Sequence, residues 1–293
     1  MSEGIMKAAK APEDLTGGDS TGRDLSSKNS IGIVGCGAIG RAILRAVGDG
    51  RLAVKVAGVT SRDRDKASAF LNTLPHPPPW LPLDDLIERA GLVIEAAGGS
   101  MVPILAEKVF GAGKDLLVIS TGALLEHPQV MARARETGCR LILPSGAIAG
   151  IDGIKSACAG EVEHVTITTR KPPGALKGAP YLEQHGIDMD AITEETEVFH
   201  GPVREACKGF PANVNVSATV SLAGLGPERT MIRILAVPGL EMNCHTIEVA
   251  GEFGTLKVEI SNVPTENPRT GKLTALSMVR AVADALDPVR IGN

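Results

Sequence analysis

Aromatic side chains are scarce in this sequence, which has 293 residues but only one Trp, one Tyr and five Phe. Proteins that bind single-stranded nucleic acid need exposed aromatic rings on which the bases stack. The net charge of −4 also lacks the basic excess that attracts a phosphate backbone. We therefore expect no nucleic-acid partner. With so few aromatics, the core has to be built from Val, Ile, Leu and Ala, which suits buried parallel strands beneath helices.

Paired cysteines and long apolar runs are missing as well. The odd number of cysteines and the lack of a C-x-x-C pair argue against a disulfide framework or a metal site, so we expect reduced thiols in a cytoplasmic protein and no bound metal. No apolar run approaches the ~20 residues that span a bilayer, so we expect no membrane association. The five cysteines are Cys36, Cys139, Cys158, Cys207 and Cys244.

The first half of the chain alternates short apolar runs with helical patterns. Residues 1–30 are polar and small, so burial cannot offset their ordering entropy, and we expect a disordered tail. From Ile31 onward the alternation predicts an α/β fold with a Rossmann-type, doubly wound parallel sheet. We assign this dinucleotide-binding domain to residues 31–148 and expect a C-terminal helix, within 270–290, to complete it. The apolar runs lie at 31–34, 53–59, 92–94, 116–119 and 141–143.

The second half has a different pattern. Apolar and polar residues alternate with the period of half-buried strands, which predicts a second α+β domain with a mainly antiparallel sheet over 149–269. The Pro- and Gly-rich segment 172–186 is predicted to be a loop, because Pro has no backbone N–H to donate and Gly adds conformational freedom to the backbone. The alternating runs lie at 162–169, 230–237, 242–250 and 255–261.

A glycine motif, Gly35-Cys36-Gly37-Ala38-Ile39-Gly40, joins the first predicted strand to the first helix. In such a G-x-G-x-x-G turn the first Gly permits the sharp turn, the second lets the backbone approach a pyrophosphate, and the third allows close helix–strand contact. The unpaired N–H groups at the start of the helix, near Ala38 and Ile39, then face the diphosphate. The motif in this setting predicts that these residues bind NAD or NADP.

The end of the second predicted strand bears on which of the two cofactors binds. NAD-specific domains usually place Asp or Glu there to bind the ribose 2′-hydroxyl. Here the strand ends Val59-Thr60-Ser61-Arg62, without a carboxylate at its tip. Ser61 and Arg62 suit a 2′-phosphate, so we predict that NADP is accepted. The alternative is that Arg62 is a solvated residue in the first turn of a helix.

Three stretches of the second half bear on the reaction. One is small and Gly-rich and follows the last predicted strand of the first domain, where ligands bind. Another carries two amides at the start of an apolar helix, and the third carries a His that enters a β-rich run. They are Pro144–Asp152, Asn213–Thr219 and Asn243–Val249.

Together with the glycine turn and segments such as Thr169-Arg170-Lys171-Pro172, these stretches resemble the L-aspartate dehydrogenase family. The resemblance runs from about Ile31 to the C-terminal helix. It implies NAD(P)-dependent oxidative deamination of L-aspartate to iminoaspartate, which hydrolyses to oxaloacetate and ammonia, together with the reverse reductive amination. Some family members supply iminoaspartate for NAD biosynthesis.

Residue by residue, the resemblance implies that Ala147 and Asn215 contact the cofactor and that His245 is the catalytic acid/base. The chemistry agrees for His245, because amine oxidation moves a proton while hydride leaves Cα and imidazole titrates near the working pH. Taken alone, His245 also fits a buried structural residue. Asn215 also fits a helix cap, although its position makes Asn213 the better cap.

A dicarboxylate substrate needs cationic partners. The sequence does not choose among four candidates, each of which also fits a surface charge. Two other functions stay open: a dehydrogenase or reductase of another small carboxylate, of the homoserine or dihydrodipicolinate type, and a non-catalytic regulatory protein that binds the cofactor. We expect a homodimer. The candidate cations are Arg170, Lys171, Arg269 and Lys272.

Overall fold

The computed structural model describes residues 29–211, 214–263 and 271–292. The predicted disordered tail therefore lies almost entirely outside the described residues. The predicted tail extends one residue too far, because Ser30 is buried and is the first residue of a strand.

The first sheet has five strands in the order β2-β1-β3-β4-β5, and every neighbouring pair is parallel. Alternate residues of its central strands face two separate apolar cores, which explains why these strands are continuous apolar runs. The predicted doubly wound parallel fold is confirmed. The strands are β1 (Ser30–Val34), β2 (Lys55–Thr60), β3 (Leu92–Glu95), β4 (Asp115–Val118) and β5 (Leu141–Ile142).

Helices connect these strands and cover the sheet. One of them, α3, is absent from the sequence prediction because it is short and only Leu86 and Ile87 are buried. The helices of this half are α1 (Ala38–Gly48), α2 (Arg64–Leu71), α3 (Leu83–Arg89), α4 (Val102–Gly111), α5 (Ala123–Glu126) and α6 (Gln129–Thr137).

The second sheet also has five strands, in the order β10-β9-β6-β8-β7. Strands β6 and β8 are parallel and the other neighbours are antiparallel, so the mainly antiparallel second sheet is confirmed. Strand β7 is absent from the prediction because few of its residues are apolar. The strands are β6 (Val162–Lys171), β7 (Thr196–Pro202), β8 (Thr230–Ala236), β9 (Asn243–Gly251) and β10 (Gly254–Asn262).

Helices α7, α9 and α10 pack on one face of the second sheet, over Ile167, Ile232 and Ile247. The predicted loop at 172–186 is partly wrong, since α8 lies within it with Leu182 buried. Pro at the first turn of that helix is compatible with it, because N–H groups there have no helical partner. These helices are α7 (Ile151–Ala157), α8 (Pro180–Gln184), α9 (Val203–Gly209) and α10 (Val214–Ala223).

The last helix, α11 (Lys272–Leu286), returns to the first sheet and packs against α1. Its buried residues Met278, Val282 and Ala285 share a core with Ile43. The backbone amide of Leu273 donates to Asn262 Oδ1 at 3.2 Å, which ties the start of this helix to the end of β10. None of the described helices is long and apolar enough to cross a bilayer.

Candidate active site

A cleft of about 1160 Å³ opens at the carboxyl ends of β1, β2 and β3. The chain order of the strands reverses beside β1, and open α/β sheets bind their ligands outside the strand ends at such a point. The predicted residues Gly35, Gly37, Ala38 and Ile39 line this cleft, and so do Ser61 and Arg62.

The three glycines of the turn have different reasons to be glycine. Gly35 has a φ of +107°, and a Cβ there would lie 2.2 Å from the Ala96 carbonyl oxygen. A Cβ on Gly40 would lie 2.1 Å from the Gly35 carbonyl oxygen, so Gly35 and Gly40 are required by the packing of the turn. A Cβ on Gly37 would meet nothing within 4 Å. The open space beside Gly37, at the N-terminus of α1, fits the diphosphate of a dinucleotide.

Past the end of β2, Asp63 also lines the cleft. Its carboxylate caps α2 by accepting a hydrogen bond from the backbone amide of Lys66 at 2.9 Å. Lys66 lines the cleft as well, together with Ser61 and Arg62. The position that faces the adenosine ribose in this fold therefore combines two cations with one carboxylate that is already engaged as a cap.

His245 lies on β9 in register with Thr169 on β6, and its Nδ1 is 3.1 Å from the Thr169 hydroxyl. The side chain is only 4% exposed. Burial, and then the nearby charge of Lys171, lower the pKa of His245 from its ordinary value of 6.5 to about 4. The imidazole is therefore neutral near pH 7, which is the form that accepts a proton.

Strand alternation separates two of the candidate cations. Lys171 is on the same face of β6 as Thr169, whereas Arg170 is on the opposite face. Burial lowers the pKa of Lys171 from 10.5 to about 8. The Nε of Arg170 lies 3.5 Å from Glu195, and the side chain lines a smaller pocket with Arg233 and Lys257. Lys171 therefore shares the strand face of Thr169 and His245, and Arg170 lies on the opposite face, although His245 also borders the smaller pocket beside Arg170.

Asn215, near the start of α10, joins the second sheet's helices to the loop after β4. Its Oδ1 accepts a hydrogen bond from the Gly122 backbone amide at 3.0 Å, and its carbonyl accepts one from the Thr121 hydroxyl at 2.8 Å. The side chain therefore bonds outside its own helix. Ala147 is partly exposed in the loop after β5, where the Ile148 amide donates to the Ser145 carbonyl at 3.4 Å.

Comparison with known proteins covers both halves of the chain. Residues 152–285 match the model for the C-terminal region of aspartate dehydrogenase, and residues 35–144 match the NAD-binding domain of homoserine dehydrogenase. The L-aspartate dehydrogenase of Methanosarcina barkeri is 43% identical over 268 residues, which are 90% of this chain and 99% of that protein. The chain belongs to the L-aspartate dehydrogenase family. L-aspartate dehydrogenase 3 of Bordetella bronchiseptica is 38% identical over 272 residues, 92% of this chain and 100% of that protein.

The fold agrees with that of a solved structure. The aspartate dehydrogenase of Thermotoga maritima aligns with a TM-score of 0.65 and 23% identity, over 90% of this chain and 99% of that one. At this level of identity the likeness shows the shared fold. The cleft at the glycine turn belongs to the matched NAD-binding domain, and NAD(P) is the cofactor of this family member.

Sequence reasoning missed several residues of the cleft in this L-aspartate dehydrogenase family member. Arg41 and Arg45 line it from α1, and the Arg41 guanidinium stacks 4.6 Å from the centre of the Phe70 ring. Arg41 Nε also donates to the Cys36 carbonyl at 3.0 Å. Their spacing of four residues directly after the glycine turn was the available signal, because it puts both on one side of the helix.

Three of the predicted residues remain to be placed. Lys272 lines the dinucleotide cleft at the start of α11, so this candidate substrate cation lies in the cofactor cleft. Arg269 and Asn213 lie outside the described residues. Within the ranges that the structure describes, no three His, Cys, Asp or Glu side chains gather as a metal site would require.

Proposed function

We propose that this chain is an NAD(P)-dependent L-aspartate dehydrogenase. It oxidises L-aspartate to iminoaspartate, which is hydrolysed to oxaloacetate and ammonia, and it catalyses the reverse reductive amination. The observation that carries this proposal is the buried, neutral His245, hydrogen-bonded to Thr169 and close to Lys171, in a member of the L-aspartate dehydrogenase family.

His245 is the proposed acid/base. The bound nicotinamide supplies the acceptor for the hydride that leaves Cα of aspartate. As the C=N bond forms, His245 takes a proton from the substrate amine, and the two substrate carboxylates favour this by raising the pKa of the imidazole. His245 then releases this proton to solvent and, neutral again, takes a proton from the water that attacks the imine carbon. It returns that proton to the nitrogen of the adduct, which leaves as ammonia while the hydroxyl group loses its proton and becomes the carbonyl of oxaloacetate. The Thr169 hydroxyl holds the ring through Nδ1.

Lys171 is the proposed partner of a substrate carboxylate. It shares the strand face of Thr169, and its charge acts on His245. A carboxylate beside the ammonium group stabilises its charged form and so opposes the desolvation that lowers the pKa of Lys171. Arg170 is the weaker candidate, because its face of β6 is directed away from His245.

The proposed cofactor residues are those of the cleft and of the loops beside it. Gly35, Gly37, Ala38, Ile39 and Gly40 form the diphosphate turn, while Ser61 and Arg62 receive the adenosine ribose or its 2′-phosphate. This assignment favours acceptance of NADP. For Ala147 and Asn215, cofactor contact rests on their positions in the family pattern.

We also propose a domain division and an assembly. Residues 31–148 with α11 form the dinucleotide-binding domain, and 149–269 form the substrate-binding domain of a homodimer. Helices cover one face of the second sheet, whereas Glu248 and Lys257 are exposed on the other face, which is therefore accessible to a second copy of the chain. Light scattering at assay concentration should give the mass of two chains.

The five free cysteines support a cytoplasmic location, which imaging of a tagged chain can test.

A steady-state assay tests the reaction. NAD(P)H oxidation should require oxaloacetate and ammonia together, and L-aspartate should reduce NAD(P)+. A preference for aspartate semialdehyde or dihydrodipicolinate would instead indicate the other carboxylate reactions, and tight NADP binding without turnover would indicate a regulatory protein.

His245→Ala should lower kcat by about two orders of magnitude or more, with cofactor Kd near that of the wild type. Normal turnover in that variant would refute the role of His245.

A further inference from the structure

Glu95, the last residue of β3, is fully buried and has no role in the reaction proposed above. Its Oε1 accepts hydrogen bonds from the backbone amides of Ala97 and Gly98, both at 2.8 Å, and from the Ser120 hydroxyl at 3.1 Å. Its Oε2 accepts one from the Ser120 backbone amide at 3.0 Å. One carboxylate thus holds the loop after β3 and the loop after β4.

The loop after β3 is a wall of the cofactor cleft. Ala96, Ala97, Ser100 and Met101 all line it. This loop also supports the glycine turn, because the space that a side chain on Gly35 would need is filled by the Ala96 carbonyl. The hydrogen bonds of Glu95 to this loop therefore set the shape of the cleft beside the diphosphate turn.

The loop after β4 leads to the other half of the molecule. Thr121 and Gly122, directly after Ser120, both donate hydrogen bonds to Asn215 at the start of α10. The Thr121 hydroxyl is also 2.9 Å from the Thr219 hydroxyl, one helical turn further along. Helix α10 packs on β6, the strand that carries Thr169 and Lys171. Hydrogen bonds at both ends of the backbone segment 120–122 therefore connect Glu95 to the helix that supports this strand.

We infer that Glu95 is a positioning residue that fixes the cofactor-cleft wall and the Asn215 end of α10 in one arrangement through the backbone of 96–98 and 120–122. A carboxylate is the suitable group here, because it has only acceptors and all four of the hydrogen bonds described above are donated to it. Glutamine has the same shape, but its NH2 would face one of these donors. Charge-assisted hydrogen bonds are also stronger than neutral ones.

The experiment compares Glu95→Gln with a matched pair of serine variants. Ser120→Ala removes one hydroxyl bond to Glu95. Ser30→Ala removes a buried hydroxyl at the amino end of β1, at the end of the sheet away from the cleft, where it donates to the Arg89 carbonyl at 3.1 Å and accepts from the Gly91 amide at 3.2 Å. For each variant the readouts are Tm, NADPH Kd by fluorescence titration, and kcat at saturating cofactor and substrate. The NADPH titration needs no turnover, so it tests the cleft part of the inference even if the proposed aspartate reaction fails.

Glu95→Gln should raise NADPH Kd and lower kcat by about tenfold or more each, which corresponds to the loss of a charged hydrogen bond. Ser120→Ala should shift both in the same direction by a smaller factor. Ser30→Ala should lower Tm at least as much as Ser120→Ala does, because its hydroxyl makes two hydrogen bonds, and should leave Kd and kcat within about twofold. The inference is overturned if Glu95→Gln lowers only Tm, or if Ser30→Ala changes Kd and kcat as much as Ser120→Ala. If Glu95→Gln fails to fold, the serine pair alone decides.

Discussion

The buried His245 makes the stability of the protein depend on pH in a window that the structure defines. In the folded chain its pKa is about 4, and in the unfolded chain it returns to the ordinary value of 6.5. Between these values the unfolded state binds more protons than the folded state. The free energy of unfolding therefore falls as the pH falls through 6.5, and the loss is complete below the folded pKa.

The size of the effect follows from the two pKa values. From about pH 7.5 to about pH 5, His245 alone should lower the free energy of unfolding by about 2 kcal/mol. His245→Gln removes this contribution, so the variant should lose about 2 kcal/mol less than the wild type over the same range. Other titrating groups are common to both proteins and cancel in the comparison.

Urea unfolding followed by far-UV circular dichroism at both pH values measures this difference. The signal reports the whole chain, whereas fluorescence of the single Trp, Trp80, reports only its surroundings near β2. His164→Gln, at an exposed position on β6, is the matched control and should show the same loss as the wild type. If His245→Gln loses as much stability as the wild type, the reasoning from burial is wrong.

Three further predictions concern the proposed site. Gly37→Ala should keep the wild-type Tm but raise NADPH Kd by about tenfold or more, and an unchanged Kd would contradict the diphosphate assignment. Gly35→Ala should instead lower Tm, because Gly35 has a left-handed φ and a side chain there would meet the Ala96 carbonyl. Arg62→Ala should lower kcat/KM with NADP by about tenfold and leave the value with NAD unchanged; equal effects on both would remove the 2′-phosphate role. For L-aspartate, kcat/KM should decline above pH about 8 as Lys171 loses its charge. Lys171→Arg should shift this decline to higher pH, because Arg keeps its charge. An identical pH profile in the variant would exclude Lys171 as the partner of the substrate carboxylate.

The parallel half of the fold was predictable because its evidence is local. Strands buried on both faces are continuous apolar runs, and the glycine turn marks the junction of β1 and α1. Strand β7 was missed since only Val198 and Phe199 give it apolar character. The parallel pairing of β6 with β8 was not predictable, because alternation indicates which residues share a face and not the direction of the neighbouring strand.

The glycine positions in the site were also predictable, because the spacing of the three glycines between a strand and a helix is a local sequence motif. Glu95 was not identified, although a charged residue that ends the apolar run Leu92-Val93-Ile94 is a usable signal. Its hydrogen-bond donors come from two loops that only the folded sheet brings together. The choice between Arg170 and Lys171 also needs tertiary structure: alternation shows that they face opposite ways, but only the register with β9 shows which of them faces His245.

The pairing of His245 with Lys171 gives a physical reason for a dicarboxylate substrate. Both basic groups lose solvation on burial, and the charge of Lys171 further disfavours protonation of His245. An anion bound between them would oppose both effects, since it stabilises the ammonium group and the imidazolium that forms as a proton is taken. A neutral substrate would leave the repulsion in place. The same desolvation that lowers the two pKa values in the free protein therefore favours substrates that carry their own negative charge.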